Sequence, residues 1–341
     1  MPRGVTRIRT QRAGSILLVV VNSPSYAPGV TGAAATGPAL SVRGLVKRFG
    51  ETTAVGGLDF ELQTGEILAI LGPNGAGKTT TVEICEGFAA PDAGEVTLLG
   101  LDPIADNEAV RSRIGVMLQG GGAYPGARAG EMLALCAAYS ADPIDPDWLL
   151  QNLGLVDAQR TPYRRLSGGQ QQRLALGCAL VGRPEVVFLD EPTAGMDAHA
   201  RIMVWELIDR LRSDGVSVLL TTHLMDEAEE LADQLLIIDH GVEVAKGSPA
   251  ELTSRGAENE LRFHAPRGLD MKLLEAVLPE GYSCQEFSPG GYLVTGHVTP
   301  RVLATVVGWC ADIDVLATDL QVETRSLEDV FLDLTGRGIR E

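Results

Sequence analysis

Long apolar runs are missing from this 341-residue sequence, and runs such as Ile16 to Val21 fall far short of the length needed to cross a membrane. A membrane-spanning helix takes about 20 consecutive apolar residues. The composition is otherwise ordinary for a globular protein, with 45% hydrophobic and 21% charged residues. We therefore expect a globular chain of about two domains, since a domain holds roughly 150 residues.

Cysteine is scarce, and histidine is not clustered. The five cysteines are odd in number and never stand at C-x-x-C spacing, and the five histidines form no H-x-x-x-H pair. These patterns exclude a disulfide scaffold and a zinc site with paired ligands. We expect reduced thiols and no structural metal.

Basic residues are also few, because 28 lysines and arginines stand against 45 acids, for a formal net charge of -17. An acidic surface repels phosphate backbones, so nucleic acid is not an expected partner. Residues 1 to 38 differ from the rest, since they contain four arginines and no acid. Their content of small residues, Gly and Pro predicts a disordered extension, with the folded chain beginning near Ala39.

Residues 39 to 252 alternate apolar runs with amphipathic stretches, which predicts an α/β domain with a mostly parallel sheet. The predicted strands are Glu66 to Leu71, Ile114 to Leu118, Val186 to Asp190, Val216 to Thr221 and Gln234 to Asp239. The predicted helices are Lys78 to Phe88, Gly168 to Val181, Ala198 to Ser213 and Met225 to Ala232. Two further helices, Glu131 to Tyr139 and Trp148 to Leu153, predict a helical insert over about residues 120 to 165.

From residue 255 to 341 the pattern changes to strand, helix, two strands, helix, strand and helix, which suits a small α+β domain of ferredoxin-like topology. The paired strands meet at Pro289-Gly290-Gly291, a sequence compatible with a hairpin turn. The last helix is predicted from a capping-box start at Ser326 and from the apolar spacing of Val330 to Leu334.

A phosphate-binding loop is predicted between the first predicted strand and helix, where residues 72 to 79 match G-x-x-x-x-G-K-T. Its glycines let backbone N–H groups converge on phosphate oxygens at the positive start of a helix. Lys78 is placed to reach the β and γ phosphates, and the Thr79 hydroxyl to ligate Mg²⁺. The residues expected to bind the nucleotide are Gly72, Pro73, Asn74, Gly75, Ala76, Gly77, Lys78, Thr79 and Thr80.

Two acids, Asp190 and Glu191, follow the apolar run Val186 to Leu189. A buried parallel strand delivers its last residues to the sheet edge where the phosphate loop lies. Asp190 is suited to hold Mg²⁺, through Thr79 or through water, and Glu191 to polarise the attacking water as a general base.

A second anion site is predicted at Leu166-Ser167-Gly168-Gly169-Gln170, where Ser167 can cap a helix and both glycines expose backbone N–H groups. This segment, just before the acid-bearing strand, resembles the signature of the ATP-binding subunits of ABC transporters, and the resemblance covers Ala39 to Leu252. It implies an ABC-type P-loop NTPase fold, ATP and Mg²⁺ as cofactors, and ATP hydrolysis coupled to transport. It also implies a location at the cytoplasmic face of the membrane.

The same resemblance implies a head-to-tail homodimer, in which the phosphate loop of one subunit and Ser167 to Gln170 of the other close over one ATP. Gln119 resembles the family's lid glutamine, which senses Mg²⁺, water and the membrane partner, and His223 resembles the switch histidine that contacts the γ-phosphate. Asp197 lies in a segment similar to the loop that crosses the dimer. Phe49 matches the aromatic that stacks on adenine, where tyrosine is more common in the family.

The end of the chain, Leu327 to Arg337, resembles the tail of daunorubicin-resistance-type exporter ATPases. This implies export of a drug or antibiotic through a separate permease, on which the helical insert docks. Two alternatives remain at this point: an import motor, and a non-transport ABC ATPase acting on DNA or the ribosome. The latter class is marked by long heptad arms, zinc cysteines or a second ATPase cassette, none of which the sequence contains.

Overall fold

The computed structural model describes residues 37–117, 124–254, 259–296, 298–323 and 326–336. Residues 1 to 36 of the predicted extension and Gln119 therefore lie outside the described residues. Over the described ranges, no helix combines the length and the hydropathy that a membrane span requires.

The strands are, in chain order, β1 (Leu40–Phe49), β2 (Thr52–Leu62), β3 (Ile67–Leu71), β4 (Ala93–Leu98), β5 (Ile114–Met117), β6 (Val186–Asp190), β7 (Ser217–Thr222), β8 (Gln234–Asp239), β9 (Val242–Gly247), β10 (Asn259–His264), β11 (Ser283–Ser288), β12 (Gly291–Gly296) and β13 (Thr318–Glu323). The helices are α1 (Lys78–Cys85), α2 (Asn107–Arg111), α3 (Ala129–Ala138), α4 (Pro146–Asn152), α5 (Gly168–Leu180), α6 (Ala198–Ser213), α7 (Met225–Leu231), α8 (Pro249–Ser254), α9 (Met271–Glu275), α10 (Pro300–Asp312) and α11 (Leu327–Thr335).

A six-stranded sheet with the order β5-β6-β7-β3-β8-β9 forms the centre of the ATPase part, and all its neighbours are parallel except β8 and β9. Both faces are covered, which is why its strands read as continuous apolar runs in the sequence. In β6, Val187 and Leu189 point into the core beneath the helices, whereas Val186 and Phe188 face a second core. The five predicted strands are all present, and β6 and β8 have the predicted bounds.

The sequence pattern did not reveal the three-stranded antiparallel sheet β2-β1-β4, which closes the second core over the central sheet. It also missed β9 at the sheet edge. Helix α1 ends at Cys85, three residues before the predicted end, because Gly87 takes a left-handed φ of 77°. The Phe88 N–H then bonds back to the Glu83 carbonyl oxygen at 2.8 Å, a helix stop of the Schellman type.

The helical insert consists of α3 and α4; α3 packs against both α4 and α5, and all three helices contribute to one core. Asp145 caps α4 by accepting a hydrogen bond from the Asp147 N–H at 3.0 Å. Helix α5, with Ser167 at its start, itself packs on β5 and β6 of the central sheet.

The C-terminal strands form a separate antiparallel sheet with the order β11-β12-β10-β13, which is the order of a ferredoxin-like fold. The β11–β12 hairpin turns at the predicted site, and the core contains Phe263 stacked on Tyr292 with ring centroids 5.3 Å apart. Helix α10 covers one face of this core through Val306 and Trp309.

The last helix, α11, packs on the ATPase part, against α7, α8 and β9. Leu327 and Phe331, which are 0% and 1% exposed, belong to the same core as Val187 and Leu189 of β6. The backbone N–H of Leu327 donates a hydrogen bond to Glu229 Oε1 at 2.8 Å. The chain end therefore returns to the nucleotide-binding part after completing the ferredoxin-like sheet.

Candidate functional site

The phosphate-binding loop joins the fully buried β3 to the start of α1. At its end, Gly77 has a φ of 100°, and a Cβ there would lie 2.3 Å from the Ala54 carbonyl oxygen. Any other residue would be strained and would collide with the backbone of β2. Glycine is therefore required where the loop turns into the helix.

Lys78 lies within this loop and is only 6% exposed. Its ammonium donates hydrogen bonds to the carbonyl oxygens of Gly72 at 2.7 Å and Pro73 at 3.2 Å. Burial lowers the pKa of Lys78, while the negative charges of Glu191 and Asp190 work in the opposite direction. A desolvated cation at the N-terminus of a helix is suited to bind a polyphosphate.

Asp190 ends β6 and is 6% exposed. Its carboxylate accepts hydrogen bonds from the Thr221 hydroxyl and, at 3.4 Å, from the Thr79 hydroxyl. A hydroxyl and a carboxylate are oxygen donors of the kind that Mg²⁺ prefers next to phosphates. Thr79 and Asp190 therefore fit a magnesium site beside the phosphate loop.

Glu191 follows Asp190 with a left-handed backbone, at a φ of 49°, which is uncommon for a residue other than glycine. Three neighbours hold it in that conformation. Its N–H donates to the Thr221 carbonyl oxygen at 3.1 Å, its own carbonyl accepts from Gln172 Nε2 at 2.8 Å, and its carboxylate lies 3.1 Å from His223 Nδ1. Strained backbone of this kind concentrates at functional sites.

His223 lies between the end of β7 and the start of α7. The side chains of His223 and Glu191 are 28% and 16% exposed, so both are accessible from solvent. The turn that carries the histidine is fixed by a hydrogen bond from the Leu224 N–H to Thr222 Oγ1 at 3.0 Å.

Ser167 caps α5 with a complete capping box: Ser167 Oγ accepts from the Gln170 N–H at 3.3 Å, and Gln170 Oε1 accepts from the Ser167 N–H at 3.0 Å. Ser167 and Gly168 are exposed, so this helix start faces solvent. The next residue, Gly169, packs beside Met196, since a Cβ on it would lie 3.6 Å from the Met196 side chain.

Asp197 caps α6 by accepting a hydrogen bond from the Ala200 N–H at 2.9 Å. Through Met196, its loop adjoins the start of α5. Phe49 is 56% exposed at the end of β1, and the Lys47 ammonium lies 5.5 Å from its ring centroid.

The structure thus brings Lys78, Thr79, Asp190, Glu191 and His223 to one edge of the sheet. Ser167, Asp197 and Phe49 lie at the surface of the same chain, and Gln119 lies outside the described residues. Thr221 and Gln172 were not predicted as site residues. Thr221 ends an apolar run on the strand next to β6, and Gln172 follows the signature-like segment by two residues, so both positions could have been considered.

Comparison with known proteins places this site in a family. A family model described as ABC transporter matches residues 55–194. The chain is 36% identical over 309 residues to the Nod factor export ATP-binding protein I of Ralstonia nicotianae, covering 89% of this chain and 96% of that protein. It is 35% identical to the daunorubicin/doxorubicin resistance ATP-binding protein DrrA of Streptomyces peucetius, covering 87% and 92%.

Among solved structures, the ATP binding subunit of an ABC transporter superposes with a TM-score of 0.58 at 25% identity, covering 64% of this chain and 92% of that chain. These similarities confirm the P-loop fold and the ATP-hydrolysing activity expected from the sequence. The chain belongs to the ATP-binding subunits of ABC transporters.

Proposed function

We propose that this chain is the ATPase motor of an exporter that moves drugs or antibiotics through a separate membrane permease. One observation carries the proposal: the similarity to export proteins extends over 89% and 87% of the chain, well past the cassette that the solved structure covers. The ferredoxin-like unit is therefore shared with relatives named for export.

At the nucleotide site, we assign the β and γ phosphates to the loop of residues 72 to 80 and the ammonium of Lys78, and the adenine to the exposed ring of Phe49. Thr79 and Asp190 would hold Mg²⁺ together with Gln119, and the ion would supply charge neutralisation on the phosphates.

Glu191 accepts the proton of the attacking water, whose oxygen bonds to the γ-phosphorus as the bond to the β–γ bridging oxygen breaks. ADP and phosphate are the products. The 3.1 Å contact between Glu191 and His223 supports this role, since it directs the carboxylate and places the imidazole beside it.

Two copies complete the site in this proposal. The start of α5 exposes Ser167 and Gly168 to solvent and offers backbone N–H groups there. A head-to-tail homodimer would place it over the γ-phosphate bound by the partner's loop, with the Asp197 loop crossing between the subunits. Closure on both sides of the phosphate provides the preorganised electrostatic environment that hydrolysis requires.

The helical insert supplies the surface for the permease at the cytoplasmic face of the membrane. Two tyrosines there are strongly exposed: Tyr139, at the end of α3, is 85% exposed, and Tyr124, before α3, is 69% exposed. Leu135 on α3 is 42% exposed as well. Exposed aromatic side chains are enriched at protein contact sites.

The proposal is tested by expressing the chain with its neighbouring permease gene and following the cellular accumulation of daunorubicin and other fluorescent amphipathic drugs. We expect lower accumulation than with the permease alone, and no effect when the chain carries Glu191→Gln. Higher accumulation would indicate import. ATP turnover stimulated by DNA or ribosomes, with no change for any drug, would favour a non-transport ATPase.

A further inference from the structure

Glu227 is an acid on α7 that the nucleotide site does not use, and it is 1% exposed. The neighbouring acids of the same helix differ, because Asp226, Glu229 and Glu230 are exposed. A fully buried carboxyl needs hydrogen-bond donors to offset its desolvation. The hydrogen-bond partners of Glu227 therefore indicate the role of this buried carboxylate.

Three donors from three different segments converge on its carboxylate. Thr193 Oγ1 donates to Glu227 Oε1 at 2.7 Å, and Trp205 Nε1 on α6 donates to the same oxygen at 3.2 Å. The Thr222 hydroxyl is the third donor. Burial raises the pKa of Glu227, while these three hydrogen bonds act to lower it.

Two of those donors sit beside the residues proposed to act on the γ-phosphate. Thr193 is two residues after Glu191 and opens the turn to the Asp197 loop, where the Met196 N–H bonds to the Thr193 carbonyl oxygen at 3.1 Å. Thr222 directly precedes His223, and its hydroxyl oxygen holds the Leu224 N–H at 3.0 Å. Both threonines are 1% exposed, so neither side chain has water as an alternative partner.

We infer that Glu227 is a positioning residue that holds the His223 turn and the segment from Glu191 to Asp197 in one fixed relation. Its carboxylate interacts with Thr193 in one segment and with Thr222 in the other. The two segments also meet directly, in the 3.1 Å contact of His223 with Glu191. A shift of either segment would therefore displace the other. This inference rests on ATP hydrolysis by the chain and is independent of whether the transported molecule is exported.

The test uses the purified full-length chain and the variant Glu227→Leu, which removes the acceptor. We expect kcat for ATP to fall about tenfold or more, because displacing a catalytic group by about 1 Å can cost up to 100-fold, while the Kd for MgATP stays within about threefold. Glu227→Gln keeps an acceptor oxygen and should recover most of the rate. A rate for Glu227→Gln as low as that of Glu227→Leu would overturn the proposal.

Hydrogen–deuterium exchange supplies a second readout that does not depend on turnover. Peptides covering residues 191 to 197 and 221 to 225 should both exchange faster in Glu227→Leu than in the wild type. The matched control is Val110→Ala, which opens a cavity in the second core, to which no residue of either segment belongs. If Val110→Ala lowers kcat equally at equal loss of melting temperature, Glu227 acts through general stability and the inference fails.

Should Glu227→Leu not fold, two single-donor variants keep the inference falsifiable. Thr193→Val and Trp205→Phe each remove one hydrogen bond to the same carboxylate oxygen, but only Thr193 belongs to a segment beside the nucleotide site. Thr193→Val is expected to lower kcat at least threefold more than Trp205→Phe. Equal effects of the two variants would contradict the positioning role.

Discussion

The imidazole Nδ1 of His223 lies 3.1 Å from a carboxylate oxygen of Glu191, which joins the loop after β6 to the loop after β7. An ionised carboxylate accepts hydrogen bonds only, so in an attractive contact with it Nδ1 of His223 is the donor. The backbone of Glu191 is fixed independently by Thr221 and by Gln172 of α5. Residues from three elements thus determine where the proposed base stands.

Replacing Glu191 by glutamine should leave MgATP affinity unchanged and lower turnover about 100-fold or more. The amide keeps the size of the side chain and a hydrogen-bonding group for His223, but it cannot take a proton from water. Phosphate release and equilibrium nucleotide binding measure the two quantities. The matched control is Glu185→Gln, because Glu185 pairs with Arg113 at 2.6 Å just before the opposite end of β6. Turnover within tenfold of the wild type for Glu191→Gln would assign the base elsewhere.

A mixed dimer of Lys78→Ala with Ser167→Arg tests the two-subunit site. Each variant alone should fail to occlude ATP, whereas the mixed dimer has one site that joins an intact phosphate loop to an intact start of α5. We expect nucleotide retention to return at that one site, measured per dimer with Glu191→Gln in both chains. Retention no better than in either single variant, with mixed dimers present, would refute the head-to-tail arrangement.

The docking of α11 on the ATPase part predicts an effect of its buried residues on the free energy of unfolding. Phe331 is 1% exposed in the core that it shares with Leu189 of β6, so Phe331→Ala should lower the free energy of unfolding by about 3–5 kcal/mol. Leu334 on the same helix is 46% exposed, and Leu334→Ala should cost less than about 1 kcal/mol. Urea denaturation of the full-length chain provides both values. Equal small losses would mean that α11 does not pack on this core in solution.

Removing an exposed aromatic from the insert should uncouple the chain from its permease without affecting the nucleotide site. We expect Tyr139→Ser to keep the basal ATP turnover of the isolated chain while reducing copurification with the permease severalfold. Phe287→Ser is the matched control, since Phe287 is 49% exposed on the ferredoxin-like sheet. Undiminished copurification of Tyr139→Ser would move the permease contact away from α3.

Much of the nucleotide site could be predicted because it obeys local rules. A buried parallel strand has a recognisable apolar run, and β6 ends at the predicted residue, Asp190. The glycine–lysine–threonine pattern of the loop has few alternatives between a strand and a helix. In contrast, β2 alternates buried and exposed residues only from Leu58 to Leu62, because two glycines and exposed residues interrupt the pattern in its first half.

The contacts that cross long stretches of chain could not be predicted. Glu227 stands in the run Met225-Asp226-Glu227-Ala228-Glu229-Glu230, which reads as a solvated acidic helix. Its burial becomes visible only when Thr193 and Trp205 are placed against it, 34 and 22 residues away. Likewise, the apolar spacing of α11 predicts that the helix docks, but it does not say on which surface.

The return of α11 has a topological consequence. Its residues Leu327 and Phe331 share a core with Leu252 of α8, so the cassette is built from two separate pieces of chain. The ferredoxin-like unit is then an insertion between α8 and α11 rather than a tail. A unit attached at both ends resists rotation about a single linker. Excising residues 259 to 323 and bridging α8 to α11 with a short Gly/Ser linker would leave a minimal motor with its core complete.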